Sequence, residues 1–300
     1  MKPIHVVLAI LVAVIWGFNF VVIKIGLDHF PPFLFSAIRF FFAAIPAVFF
    51  IKWPQVNWRR LLAIGFVLGV VKFSLMFLGI EIGVSAGMAS LLIQMQVPFT
   101  ALLALLFLSE RPTSAQIGGI ALGFAGLMLI VIQNDSDISL LGLLLIVGAA
   151  LAWAYSNILT KGIGKVNMFD FTVAMSLVPI LPMLLLSYGV EGHDQITAAL
   201  SQITWISLGT ILYVAFVATV AAYAIWGALL LRYPASLVTP YALLVPVVGM
   251  ISSAMVLGEQ FTFMKILAAT LVIVGLVVGN LGDKLTARFM RTRLTSSQSN

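Results

Sequence analysis

WGFNFVVIK (Trp16 to Lys24) and WAYSNILTK (Trp153 to Lys161) each place a lysine eight residues after a tryptophan, at an offset of 137. Further along, Glu110 matches Glu259 and Gly126-Leu127 matches Gly275-Leu276, both at an offset of 149. The twelve extra residues fit in a polar loop around Glu191 to Thr204. Paired anchors recurring in the same order argue against chance, and a repeat of this length fixes the architecture before any motif is considered.

What is repeated is apolar. The chain has 300 residues, 62% hydrophobic and 9% charged, with a mean hydropathy of +1.16, which no water-facing surface tolerates. A bilayer span needs about 20 mostly apolar residues. Stretches bounded by charged or Pro/Gly/Asn breaks fall at 5–26, 33–51, 61–80, 85–108, 113–132, 139–160, 169–189, 204–230, 235–257 and 262–281. Each repeat thus holds five spans, an odd number, so the second copy enters the membrane from the opposite face. The expected fold is an all-α integral membrane protein of ten transmembrane helices in two five-helix inverted-topology repeats, 1–135 and 138–282, followed by a basic cytoplasmic tail, 283–300. No room remains for a water-soluble catalytic domain.

Charge sets the expected orientation. Lys2, Lys52, Arg59, Arg60, Arg111, Lys161, Lys165, Arg232 and the tail residues Lys284, Arg288, Arg291 and Arg293 fall on one side, expected to be cytoplasmic with both termini, in an inner membrane. Asp28, Glu81, Asp135, Asp137, Glu191, Asp194 and Glu259 fall on the other, with Lys265 against the trend. The net charge of +6 is scattered rather than clustered, so no nucleic-acid partner is expected. Cysteine is absent and His5, His29 and His193 lie far apart, so neither a metal site nor a cofactor is expected. The run after Met1-Lys2-Pro3 continues to Gly26 without a small-residue cleavage site and reads as a retained first span.

Polar groups at membrane depth invite a functional question, because a charge near the midplane costs roughly 2.5–3.5 kcal/mol on insertion scales. Lys72 lies mid-span, too deep to snorkel, and reads either as a lysine bonded to freed carbonyls or as a cation for a substrate carboxylate. Trp16 with Asn19, and Trp153 with Asn157, put an aromatic and an amide on one helix face in equivalent places of the two repeats, for packing or for a cavity. Gln94 and Gln96 point about 200° apart, and Gln94 is the better cavity candidate. Tyr223, Trp226 and Tyr241 complete the candidate lining. Lys24 near a helix end and Arg39 two turns into its span fit snorkelling as well as a site; Arg39 could equally pair with Asp28. Glu110 and Glu259 read as helix-end groups, and Pro98, Pro240 and Pro246 release the carbonyls of Gln94, Ser236 and Ala242.

WGFNFVVIKIGL (Trp16 to Leu27), AGMASLLIQMQ (Ala86 to Gln96), FLSER (Phe107 to Arg111), YVAFVATVAAYAIWG (Tyr213 to Gly227) and LLVPVVGMISSAMVLGE (Leu243 to Glu259) resemble the EamA branch of the drug/metabolite transporter superfamily. The resemblance spans essentially the whole chain. It implies ten helices, cytoplasmic termini, a central cavity between the halves and outward movement of small amino acids or related metabolites of the O-acetylserine and cysteine kind. The chain departs from it at Lys72, where a neutral polar residue such as glutamine is implied.

A primary pump is excluded within the chain, which lacks a G-x-x-x-x-G-K-[ST] loop. An enzyme would need a carboxylate, histidine or serine–histidine constellation at depth, and a channel repeated polar rings. The reading is a secondary transporter working by alternating access, with a small-molecule substrate and the lipid bilayer as partners, as monomer or homodimer. A carrier of another substrate class, such as a nucleobase or cationic drug, or an uptake carrier, is the alternative.

Overall fold

The computed structural model describes residues 1–109, 113–132, 139–161, 163–164, 166–233, 238, 241–242 and 244–279. The expectations for Glu110, Arg111, Asp135, Asp137, Lys165, Ser236, Pro240 and the tail 283–300 fall outside them. Among the described residues every regular element is helical, as a bilayer requires when no water is present to satisfy backbone groups. Among the described residues, six stretches are long and apolar enough to cross a membrane: Pro3–Leu27, Trp58–Glu81, Ala86–Phe107, Leu140–Thr160, Met168–Ser201 and Trp205–Trp226. Shorter apolar helices accompany them. The chain is a multi-pass membrane protein.

The chain divides into two compact units: Met1–Gln96 with Ser136–Gln260, and Val97–Asp135 with Phe261–Asn300. In the first, α1 (Pro3–Leu27) begins at a proline that needs no hydrogen-bond acceptor for its nitrogen. It packs most extensively against a helix far along the chain, Leu244–Leu257. Helix α2 (Pro32–Val48) also starts at proline, and its buried N–H groups at Phe33 and Leu34 donate to the carboxylate of Glu191, which Ser187 Oγ also reaches at 2.6 Å. Helix α3 (Trp58–Glu81) is capped by Asn57, widens to a π-helix over Gly65–Lys72, and ends before Gly83, whose φ of 119° turns the chain. Ser85 then caps α4 (Ala86–Leu92), and Glu259 accepts the N–H groups of Ala86 at 2.7 Å and Gly87 at 3.1 Å. A 3-10 turn, Ile93–Met95, precedes Pro98.

The later half of this unit holds α5 (Leu140–Lys161), α6 (Met168–Ser176), α7 (Ile180–Leu186) and a π stretch Ser187–Glu191. The polar stretch expected as a loop after Glu191 is instead a helix, α8 (Gly192–Ser201). Asp194 in its first turn suits the helix dipole, and Thr197 to Leu200 carries two alanines that favour helix. A capping box of Thr204 and Ser207 opens α9 (Trp205–Leu212), which widens to π over Tyr213–Ala221 and continues as α10 (Ala222–Arg232). The offset that relates Glu110 to Glu259 carries Gly65–Lys72 onto 214–221, inside this last π stretch. Helix α11 (Leu244–Leu257) completes the unit.

The second unit holds the helix Gln96–Leu108 from Val97 onward, α12 (Ser114–Ile132) and α13 (Phe263–Gly279). Here α12 and α13 touch backbone to backbone: a Cβ on Gly275 would lie 2.6 Å from the Gly119 carbonyl oxygen, and one on Gly119 would strike the Gly275 carbonyl in return. Such close approach supplies the dispersion contact that hydrophobicity cannot provide in lipid.

Large apolar side chains face outward while some charges lie buried. Met255 is 81% exposed and Phe263 74%, whereas Arg39 and Lys72 are only 3% and 6% exposed. Trp53, Trp58 and Trp205 are exposed near helix ends, where indoles prefer the membrane–water boundary.

Candidate substrate site: two cations on one ring

Arg39 lies in the middle of α2 among phenylalanines. Its guanidinium carbon is 3.9 Å from the centre of the Phe73 ring, 4.7 Å from Phe40 and 5.9 Å from Phe77. Nη2 donates to Thr219 Oγ1 at 3.1 Å, while Nε and Nη1 are buried without a hydrogen-bond partner. Lys72 closes the π stretch of α3, and its Nζ sits 3.5 Å from the centre of the same Phe73 ring and 4.9 Å from that of Trp153. Ring faces attract cations, but the two charges also repel. Buried as both are, that repulsion is screened far less than it would be in water.

No carboxylate offsets it among the described residues. Asp28 pairs with Lys24 at 3.1 Å, Glu191 and Glu259 hold helix N-termini, Asp170 and Asp194 lie in first helical turns, and Glu81 is exposed. A cavity of about 20 Å³ opens beside Arg39, with Phe73, Thr172, Ser176, Thr219 and Tyr223 in its wall. It has room for little more than a water. Thr172, Ser176 and Thr219 donate their hydroxyl protons to carbonyls of their own helices, at Met168, Thr172 and Val214, leaving lone pairs for other donors. The Thr219 bond reaches five residues back, across the widened π turn.

Of the expected residues, Arg39 and Tyr223 stand in the wall of this cavity, whereas Lys72 is not in the wall and adjoins it through the Phe73 ring that it shares with Arg39, with Trp153 beside Lys72 in turn. Trp16 joins through Tyr223, ring centres 5.2 Å apart, and stacks at 5.3 Å with Trp226; its Nε1 donates to the Ala218 carbonyl at 2.9 Å, within the π stretch. Asn157 Nδ2 donates to Gln96 Oε1 at 2.9 Å, a separate amide pair. Gln94 Nε2 reaches the Ala242 carbonyl at 3.5 Å, the group that Pro246 leaves without its helical donor. Asn19 Oδ1 is buried without a partner. Tyr241 packs against Ala9, Leu229 and Val238. Lys24 neither snorkels alone nor faces this cavity, and Arg39 neither snorkels nor pairs with Asp28: the short helix-end ion pair claims Asp28 for Lys24.

Phe73, Thr172, Ser176 and Thr219 were not anticipated. One signal existed for Ser176, which follows Arg39 by 137, the offset that joins Trp16 to Trp153. Glu191, expected in a polar loop, is a buried cap because α2 presents two N–H groups that lack acceptors.

Apolar helices around buried, uncompensated charge define a polytopic membrane transporter. The chain belongs to the EamA-like transporter family, whose pattern matches residues 3–132 and 140–281. It is 42% identical over 289 residues to the probable amino-acid metabolite efflux pump of Salmonella typhimurium, covering 94% of this chain and 97% of that protein. It is 38% identical over 282 residues to the protein of the same description from Escherichia coli, covering 92% and 94%. A solved crystal structure shares the fold with a TM-score of 0.62 at 14% identity, covering 94% of this chain and 97% of that one.

Proposed function

We propose that this protein exports small amino acids or related metabolites across a bacterial inner membrane, by alternating access of two inverted five-span repeats, 1–135 and 138–282, with both termini cytoplasmic. It acts as a carrier and not as an enzyme. The observation that carries the reading is Lys72: a lysine buried in an apolar helix, with no carboxylate partner among the described residues, is a place for a substrate carboxylate. The names of the relatives support the substrate class, and the corresponding π stretches and tryptophans support the repeat. Trp16, Asn19, Gln94, Trp153, Asn157, Tyr223 and Tyr241 belong to the same central region in this reading, with Gln96 and Trp226 beside them. A cationic drug fits poorly, since Arg39 and Lys72 would repel it.

Counterflow in proteoliposomes tests this. Vesicles loaded with an unlabelled amino-acid metabolite should accumulate the labelled compound transiently, as a carrier does. Loss of preloaded substrate without any exchange would mark a channel and refute the reading, and so would indifference to every amino-acid compound.

A further inference from the structure

We propose that Arg39 and Lys72 form one divided anion site that selects substrates of net negative charge, amino-acid derivatives whose amino group is acylated or which carry a second acidic group. The inference rests on the transport reading above and names its substrate class more narrowly. Both cations lie over the Phe73 ring, at 3.9 Å and 3.5 Å, and both are buried. A single carboxylate on an ordinary zwitterion arrives with its own ammonium, so the ligand adds no net charge and two cations stay uncompensated. Blocking the amino group removes that positive charge, and a second carboxylate outweighs it; either change gives the ligand a net charge of −1, which offsets one of the two buried cations where a zwitterion offsets neither.

The geometry argues against a purely structural Arg39. Ring stacking and the Thr219 bond account for part of the guanidinium, but Nε and Nη1 are buried and unpartnered, and buried donors of native proteins ordinarily find acceptors. The cavity in this conformation admits little more than a water, so an acylated ligand needs the wall to part, as alternating access provides, and the chemistry of that wall suits it. Phe40, Leu68 and Met175 offer an apolar surface for the acyl group, and the lone pairs of Thr172 and Ser176 can accept an amide N–H.

The test compares serine, N-acetylserine and glutamate in counterflow by the purified full chain. The wild type should move N-acetylserine and glutamate with kcat/KM at least about tenfold above that for serine, the size of effect a desolvated charge pair supports. Arg39→Gln should bring that ratio close to one, whereas Arg39→Lys, which keeps the charge, should hold it. If Arg39→Gln fails to fold, Lys72→Gln read against Arg39→Lys gives the same comparison. Serine moving as well as the anionic compounds, or an unchanged ratio in both glutamine variants, overturns this inference and leaves the transport reading standing. Failure of all three compounds and of every other amino-acid metabolite overturns both.

Discussion

Lys24 and Lys72 are both lysines in apolar helices, yet their surroundings separate them. Lys24 meets Asp28 one turn on, with both side chains partly in solvent, and pairs of that kind contribute about 0–1 kcal/mol. Lys24→Gln should therefore leave the melting temperature within a few degrees of wild type in thermal unfolding of the detergent-purified protein. Lys72→Ala removes a charge held only by two rings, so counterflow should fall by about tenfold or more if it binds a carboxylate; full activity would remove it from the mechanism. Lys72 was legible because one charge interrupts a long apolar run. Arg39 was legible only as an anomaly, since nothing in the sequence ties it to Phe73 or Thr219, and those partners are set by how α2, α3 and the π stretch after α9 pack. Trp16 and Trp153 were visible through the repeat, but not that Trp16 spends its N–H on the Ala218 carbonyl.

At the scale of elements, spans could be read from hydropathy because a bilayer admits little else. The π stretches could not, because apolar residues carry no mark of whether a helix is wound by 3.6 or more residues per turn. Nor could the partners of Glu191 and Glu259, which cap helices distant in sequence. Glu191→Ala leaves the Phe33 and Leu34 N–H groups buried without their acceptor, which should lower stability by about 1–3 kcal/mol. Thermal unfolding should show the drop, with Glu191→Gln intermediate. Gly275→Leu makes a stronger demand, since its first side-chain carbon already falls 2.6 Å from a carbonyl oxygen. Helices α12 and α13 should separate, and proteolysis of the detergent-purified variant should cut there first.

For the whole molecule, the central expectation is orientation, and the sequence offers a direct test because it contains no cysteine. Asn57→Cys and Gln195→Cys, both exposed, lie at opposite ends of the proposed spans. An impermeant thiol reagent applied to intact cells should label the second and not the first; the reverse pattern would invert the topology. The division into units was not legible. The sequence breaks naturally near 135, whereas α12 and α13, the last spans of the two repeats as read here, fall in one compact unit with the chain after Gln96. Repeats are recorded in matching residues, but units follow contacts such as that of Gly119 with Gly275.

The account stands on a substrate carboxylate meeting Lys72 in the buried site, and equilibrium binding measures that meeting. A compound active in counterflow and its methyl ester, which lacks the carboxylate charge, would be titrated into detergent-purified wild type and Lys72→Gln. In the wild type the ester should bind about tenfold or more weakly, a difference near 1.4 kcal/mol, and in Lys72→Gln the two should bind alike, since the coupling between charge and charge has gone. Equal binding of acid and ester by the wild type, or a preference that survives in Lys72→Gln, would contradict it.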